Sequence, residues 1–180
     1  TVEVTLENVN IQSVKSNIYN NVGYLNITTF SANTFDQFKV KLAELEHKNI
    51  KSLIIDVRDN AGGYLDIAYD IADLFIKDGK VVYELKRKDE TIEKFKAKDK
   101  SSKDYDVVVL INEGSASASE ILAIALKESY DAKLVGKKSF GKGTVQEVEN
   151  LSSGAMVKYT TAYWLSPKGN SINKIGINPD

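Results

Sequence analysis

Two short apolar runs limit what this chain can fold into more than anything else in it. Residues 52–57 read SLIIDV and residues 107–111 read VVVLI. Each is short, rich in β-branched residues and bounded by polar or glycine-bearing segments, so each predicts a buried strand. Each is followed by turn chemistry and then by apolar residues at helical spacing. After the first come Asp59-Asn60-Ala61-Gly62-Gly63 and a helical pattern over 65–76, with Ile67, Ile71, Leu74 and Phe75 on one side. After the second come Gly114-Ser115-Ala116-Ser117-Ala118-Ser119-Glu120 and a helix starting near Ala118, marked by Ile121, Leu122, Ala125 and Leu126. Segment 22–30 alternates like a strand. Thr34 and Gln37 then have the spacing of a capping box, and Phe35, Phe38, Leu42 and Leu45 continue a helix that stops near Asn49. Residues 81–83 and 134–135 are strand-like, 98–106 is a polar loop, and 144–148 and 156–164 alternate. Strands alternating with helices predict an α/β fold with a mostly parallel central sheet, flanking helices and antiparallel strands at one end. A functional site is then expected on the loops 58–63, 112–118 and 137–143, after the carboxyl ends of strands.

At 180 residues the chain suits a single domain. Lys and Arg number 24 and Asp and Glu 25, a net charge of −1 that gives no global attraction to nucleic acid. The basic run Lys86-Arg87-Lys88 is followed at once by Asp89 and Glu90 and reads as a solvated face. The absence of cysteine removes disulfides, thiol catalysis and thiolate metal sites. No apolar run approaches the ~20 residues of a membrane span, and the first residues do not form a signal peptide. The missing initiator Met and the ending Asn178-Pro179-Asp180 lead us to expect a mature or excised piece of something longer.

The stretch VGKKSFGKGTVQ, 135–146, nearly matches a phosphate-binding loop through Gly136, Gly141 and Lys142, but Gly143 stands where a hydroxyl is needed. The residues after Lys142, Val145 and Val148 among them, do not build the helix such a loop requires, so no nucleotide is expected. Lys142 lies between two glycines, which let the backbone approach a neighbour closely; an unprotonated lysine there can serve as a base for a nucleophile. The serine run 115–119 joins a strand to a helix start, the parts of a nucleophile elbow. Ser117 and Glu120 also have capping-box spacing, and Ser115 and Ser119 compete with Ser117 on local grounds. His47, the one histidine, sits in a charged stretch closing the first helix, where the helix dipole explains it. A histidine-based metal site fails on count, and if Ser117 is the nucleophile, lysine is the natural base.

NEGSASASEI (112–121) followed by FGKGTVQ (140–146) resembles the catalytic core of the carboxy-terminal processing peptidases, or tail-specific proteases, including the 25-residue interval from Ser117 to Lys142. VGYLNITTF (22–30), LIIDVRDNAGG (53–63) and YWLSPKGNSINKIGINPD (163–180) resemble further parts of that family. The resemblance implies a core related to the Clp-protease and crotonase architecture. It implies a serine endopeptidase that cuts polypeptides near apolar carboxy-terminal tails, outside the cytoplasm, without metal or other cofactor and without nucleic acid or nucleotide partners. Ser117 would be the nucleophile, Lys142 the general base and Gln146 its orienting neighbour. The amide of Ala118, with that of Gly63 or else Gly62, would form the oxyanion hole. The whole of 1–180 would be one protease core, with an opening segment 1–21, a catalytic core 22–165 and a closing segment 166–180. Family members usually carry a PDZ domain before this core, and 22 residues before Gly23 are too few for one. The alternative is a non-catalytic binding or scaffold module on the same fold. Tyr24, Leu65, Tyr163 and Trp164 are candidates for a substrate groove or, equally, for core packing.

Overall fold

The computed structural model describes residues 11–99 and 103–180. A five-stranded sheet runs in the order β1-β2-β3-β6-β7, built from β1 (Val14–Tyr19), β2 (Val22–Ile27), β3 (Ser52–Asp56), β6 (Asp106–Ile111) and β7 (Lys133–Gly136). The β1–β2 hairpin is antiparallel and the other pairings are parallel. The helices α1 (Thr34–Glu46), α2 (Leu65–Asp73) and α3 (Ala118–Ala125) lie in the crossovers between parallel strands.

From β2 to β7 every crossover steps in the same direction along the sheet. Right-handed connections then place all the helices on one face. Burial along the strands agrees: Leu25, Ile27, Leu53, Ile55, Val107, Val109 and Leu134 are buried, while Tyr24, Ile54, Val108 and Leu110 between them are half-buried. The helices therefore flank one side of the sheet only. A sheet covered on one face is sufficient to hold strands as apolar as these.

The antiparallel strands do not extend this sheet. They form a second one, in the order β5-β4-β9-β8, from β4 (Val81–Arg87), β5 (Ile92–Lys96), β8 (Thr144–Asn150) and β9 (Met156–Leu165). Trp164 and Leu85, paired across β9 and β4, turn inward. Of the polar loop 98–106, residues 100–102 lie outside the described residues, and Asp106 already belongs to β6.

Two local expectations need correction. The helix over 65–76 ends at Asp73, with Phe75 and Ile76 buried in the turn beyond it. The Thr34–Gln37 capping box is not what Gln37 does. Its Oε1 accepts the amides of Ser13 and Val14 at 2.9 and 3.2 Å and its Nε2 donates to Ile11 O at 2.8 Å, so it ties α1 to the segment entering β1. α1 ends at Glu46, and the turn after it closes at Asn49, near which the helical pattern was expected to stop, with φ 58°, a left-handed conformation that asparagine tolerates.

Candidate active site

The loops after β3, β6 and β7 meet at one end of the parallel sheet, joined by their own polar groups. Asn60, fully buried after β3, donates Nδ2 to Ile27 O at 2.8 Å and accepts Gly62 N at 2.9 Å. Its carbonyl accepts Ala116 N at 3.0 Å and Ser119 Oγ at 2.8 Å. Ser115 Oγ donates to Val57 O at 2.7 Å. The two rivals of Ser117 are thus buried and occupied in fastening the serine run to the glycine turn. Ser117 between them is half-buried.

Ser117 has φ 55° and ψ −116°, a conformation rarely populated by a residue with a side chain. Such a backbone costs on the order of 1–3 kcal/mol and persists only where its neighbours over-determine it. It is the strained strand-to-helix turn that lifts a hydroxyl out of a sheet end. The glycine turn packs directly against it. A Cβ on Gly62 would lie 2.8 Å from Ser117 Cβ and 3.1 Å from Ala118 N, and one on Gly63 would lie 2.1 Å from Phe30 O.

The residue that joins serine to lysine is Glu120. Its side chain is fully buried, and its carboxylate accepts four hydrogen bonds. Oε2 takes Ser117 N and Lys142 N, both at 2.9 Å, so these two amides lie no more than twice that distance apart. Oε1 takes Ser139 Oγ at 2.6 Å and Gly141 N at 2.7 Å. The glutamate half of the expected Ser117–Glu120 box is therefore present, and the same carboxylate also holds the lysine loop. The sequence reading gives Glu120 only a capping role. The available signal was its place in a helix whose residues 118–125 are all buried, because a buried carboxylate requires several donors.

The lysine loop is held from three further sides. Phe140 N donates to Ser115 O at 3.0 Å, Trp164 Nε1 to Lys142 O at 2.9 Å, and Lys174 N to Gly141 O at 2.7 Å. Ser139 Oγ also accepts Ile177 N at 2.7 Å, which binds in the closing segment. The Lys142 side chain is half-buried, and its ammonium makes no ion pair or hydrogen bond among the described residues, to Ser117 included.

The amide of Ala118, at the first position of α3, and that of Gly63 have no acceptor among the described residues. The Gly62 amide is committed to Asn60. Gln146 lies exposed beyond a bulge in β8 and makes no hydrogen bond to Lys142 among the described residues. His47 is exposed at the end of α1 that feeds the start of β3, whereas the site lies beyond the strand's other end. Trp164 is buried and Tyr24 donates to Asp56 Oδ2 at 2.7 Å, so both are structural; Tyr163 is exposed and Leu65 half-buried.

Asp56, at the end of β3, also accepts Arg58 N and Nε at 3.0 Å each and Nη2 at 2.6 Å. Burial pulls its carboxyl upward, but the hydrogen bonds from Arg58 and Tyr24 outweigh that and hold it below the ordinary carboxylate range. Burial first, then the bond to Asp56, raises Tyr24. Among the described residues no group of His, Cys, Asp and Glu could hold a metal ion, and no helix is long and apolar enough to cross a membrane.

Probable CtpA-like serine proteases of Staphylococcus epidermidis and Staphylococcus aureus are each 39% identical to 99% of this chain. The chain spans 37% and 36% of their respective lengths. The photosystem II D1 C-terminal processing protease superposes with a TM-score of 0.86 at 31% identity, over 97% of this chain and 49% of that one. The sequence model of peptidase family S41 matches residues 21–180. With a match that covers nearly all of it, the chain belongs to peptidase family S41.

Proposed function

We propose that this chain is the core of a serine endopeptidase that cuts polypeptides near apolar carboxy-terminal tails, with Ser117 as nucleophile and Lys142 as general base. The observation that carries this reading is the single Glu120 oxygen that binds the amides of both residues, at 2.9 Å each. It holds a strained serine elbow close to a lysine whose ammonium has no partner among the described residues.

Ser117 Oγ attacks the scissile carbonyl carbon while its proton passes to unprotonated Lys142 Nζ. The oxyanion forms against the amides of Ala118 and Gly63, neither of which has an acceptor among the described residues and one of which stands at a helix N-terminus. Collapse breaks the peptide C–N bond, and the leaving amine takes the proton from Lys142. Water then attacks the acyl ester and gives its proton to Lys142, which passes it to Ser117 Oγ as the acyl C–O bond breaks, releasing the acid and restoring the hydroxyl and the neutral lysine. Gln146 orients Lys142 only if β8 shifts from its present course. As the resemblance implies, the enzyme works outside the cytoplasm.

The test is cleavage of an unfolded polypeptide with an apolar tail by this chain, by Ser117→Ala and by Lys142→Ala, with mass spectrometry of acyl-enzyme on Ser117. Loss of several orders of magnitude in both variants is expected. Full activity in Lys142→Ala would remove the lysine from the mechanism. A parent that binds the polypeptide and never acylates would favour a binding module on the same fold.

A further inference from the structure

The basic run 86–88, read from sequence as a solvated face, sits on the rim of a cavity of about 700 Å³. Its floor follows from strand register. Ile92 pairs with Lys86, Lys86 with Tyr163, and Tyr163 with Thr144, so one row crosses all four strands of the second sheet. Directly paired residues point to the same side of a sheet. The neighbouring pair Leu85–Trp164 points into the core, so this row faces outward. Ile92 and Tyr163 are 49% and 45% exposed, large apolar surfaces with nothing over them among the described residues. The row ends at Thr144, two residues past Lys142.

Charge gives this groove a preference. Lys86, Arg87, Lys88 and Glu90 line it, three cations against one carboxylate, in a chain whose net charge is −1. Lys86 pairs with Glu90 and Arg87 with Glu93, while Lys88 makes no ion pair among the described residues. A concave apolar floor with a positive rim, starting beside the site of chemistry, suits an extended peptide that carries both apolar and acidic side chains.

Building on the protease reading, we infer that this groove receives the substrate polypeptide on one side of the scissile bond and that Lys86 and Lys88 select an Asp or Glu side chain there. Two inter-strand spacings of about 4.8 Å separate Lys86 from Thr144, a span of about 10 Å, which an extended chain rising about 3.3 Å per residue covers in roughly three residues. With Thr144 two residues past Lys142, the preferred acid stands about three to five residues from the cut.

The experiment measures kcat/KM on matched peptides that carry Glu or Gln three, four or five residues to either side of one cleavable bond, each with a free and an amidated carboxy-terminus. The parent should favour Glu by about 1.5-fold to fivefold, the range for exposed charge pairs, and lose the preference at high salt. Lys86→Glu/Lys88→Glu should reverse it. Glu90→Gln, an exposed change that frees Lys86, should strengthen it. Cleavage with no Glu preference, or one that survives charge reversal, overturns the inference while leaving the protease reading intact. Loss on amidation alone, with Glu and Gln equivalent, also overturns it, in favour of a terminal carboxylate. Anisotropy of the same labelled peptides on Ser117→Ala reads the groove without chemistry. There, a charge-reversible Glu preference supports the groove even if the parent cuts nothing.

Discussion

Replacing Glu120 by Gln changes two atoms' worth of chemistry and should disable both stability and catalysis. The carboxylate offers two acceptor oxygens, each taking two donors. A carboxamide offers one oxygen and an NH2. If the NH2 takes the Oε2 position, it opposes the amides of Ser117 and Lys142, the two that define the site. If it takes the Oε1 position, it opposes Gly141 N, and Ser139 Oγ loses the acceptor for its own proton. Either way about two buried donors lose their partner, at about 1–3 kcal/mol each, so the variant should lose about 2–6 kcal/mol. That is a large part of the 5–15 kcal/mol that holds a typical domain. Urea unfolding followed by fluorescence measures it, because Trp164 is the one tryptophan and its Nε1 is bonded to Lys142 O at 2.9 Å. Ser139→Ala keeps the charge and removes one donor, so it should cost about 1–3 kcal/mol, mainly through the Ile177 amide it leaves unsatisfied. A Glu120→Gln protein within about 0.5 kcal/mol of the parent, cutting at the parental rate, would refute the argument that this carboxylate assembles the site.

Gly62→Ala should abolish cleavage and destabilise the chain, because φ 104° is strained for alanine and the new methyl would meet Ser117 Cβ at 2.8 Å; retained peptidase activity would contradict the packing. Asp56 binds fewer protons folded than unfolded, so its contribution to stability is complete above about pH 4 and is lost as pH falls through the lower folded value. Stability measured from pH 7 downward should fall less steeply below pH 4 in Asp56→Asn than in the parent, and parallel curves would contradict this. Because the base acts unprotonated, kcat/KM should rise with pH across the neutral-to-alkaline range, and a profile that falls there counts against Lys142.

The parts of the fold that were legible in sequence are those whose signal is contiguous. β3 and β6 announce themselves as apolar runs, and the turns and helices after them come in the same few residues. Two of the edge strands, β1 and β5, were not legible. β1 reads VKSNIY and β5 reads IEKFK, and both carry charge and polarity in place of alternation because most of their residues are exposed. One-sided coverage of the parallel sheet was hidden for the opposite reason. Ile54, Val108 and Leu110 are as apolar as their inward neighbours although they are only half-buried, so the run looks the same whether one face is covered or both.

The site divides along the same line. Ser117 and Lys142 stand out locally, one in a run of small residues before a helix and the other between two glycines. Which serine matters is decided by partners far away in the chain: Ser115 is bonded to Val57 O and Ser119 to Asn60 O, across 58 and 59 residues. What brings Ser117 to Lys142 is equally remote from any local pattern. Glu120 reaches its nearer neighbour within the helix turn and Ser139, Gly141 and Lys142 across 19 to 22 residues. Three of its four bonds come from backbone amides, which carry no side-chain signature in the sequence. The glutamate side chain is therefore the one part of this junction whose substitution reaches all four bonds at once. That is why a single carboxamide at position 120 tests the assembly of the site, whereas changes at Ser117 or Lys142 test only its chemistry.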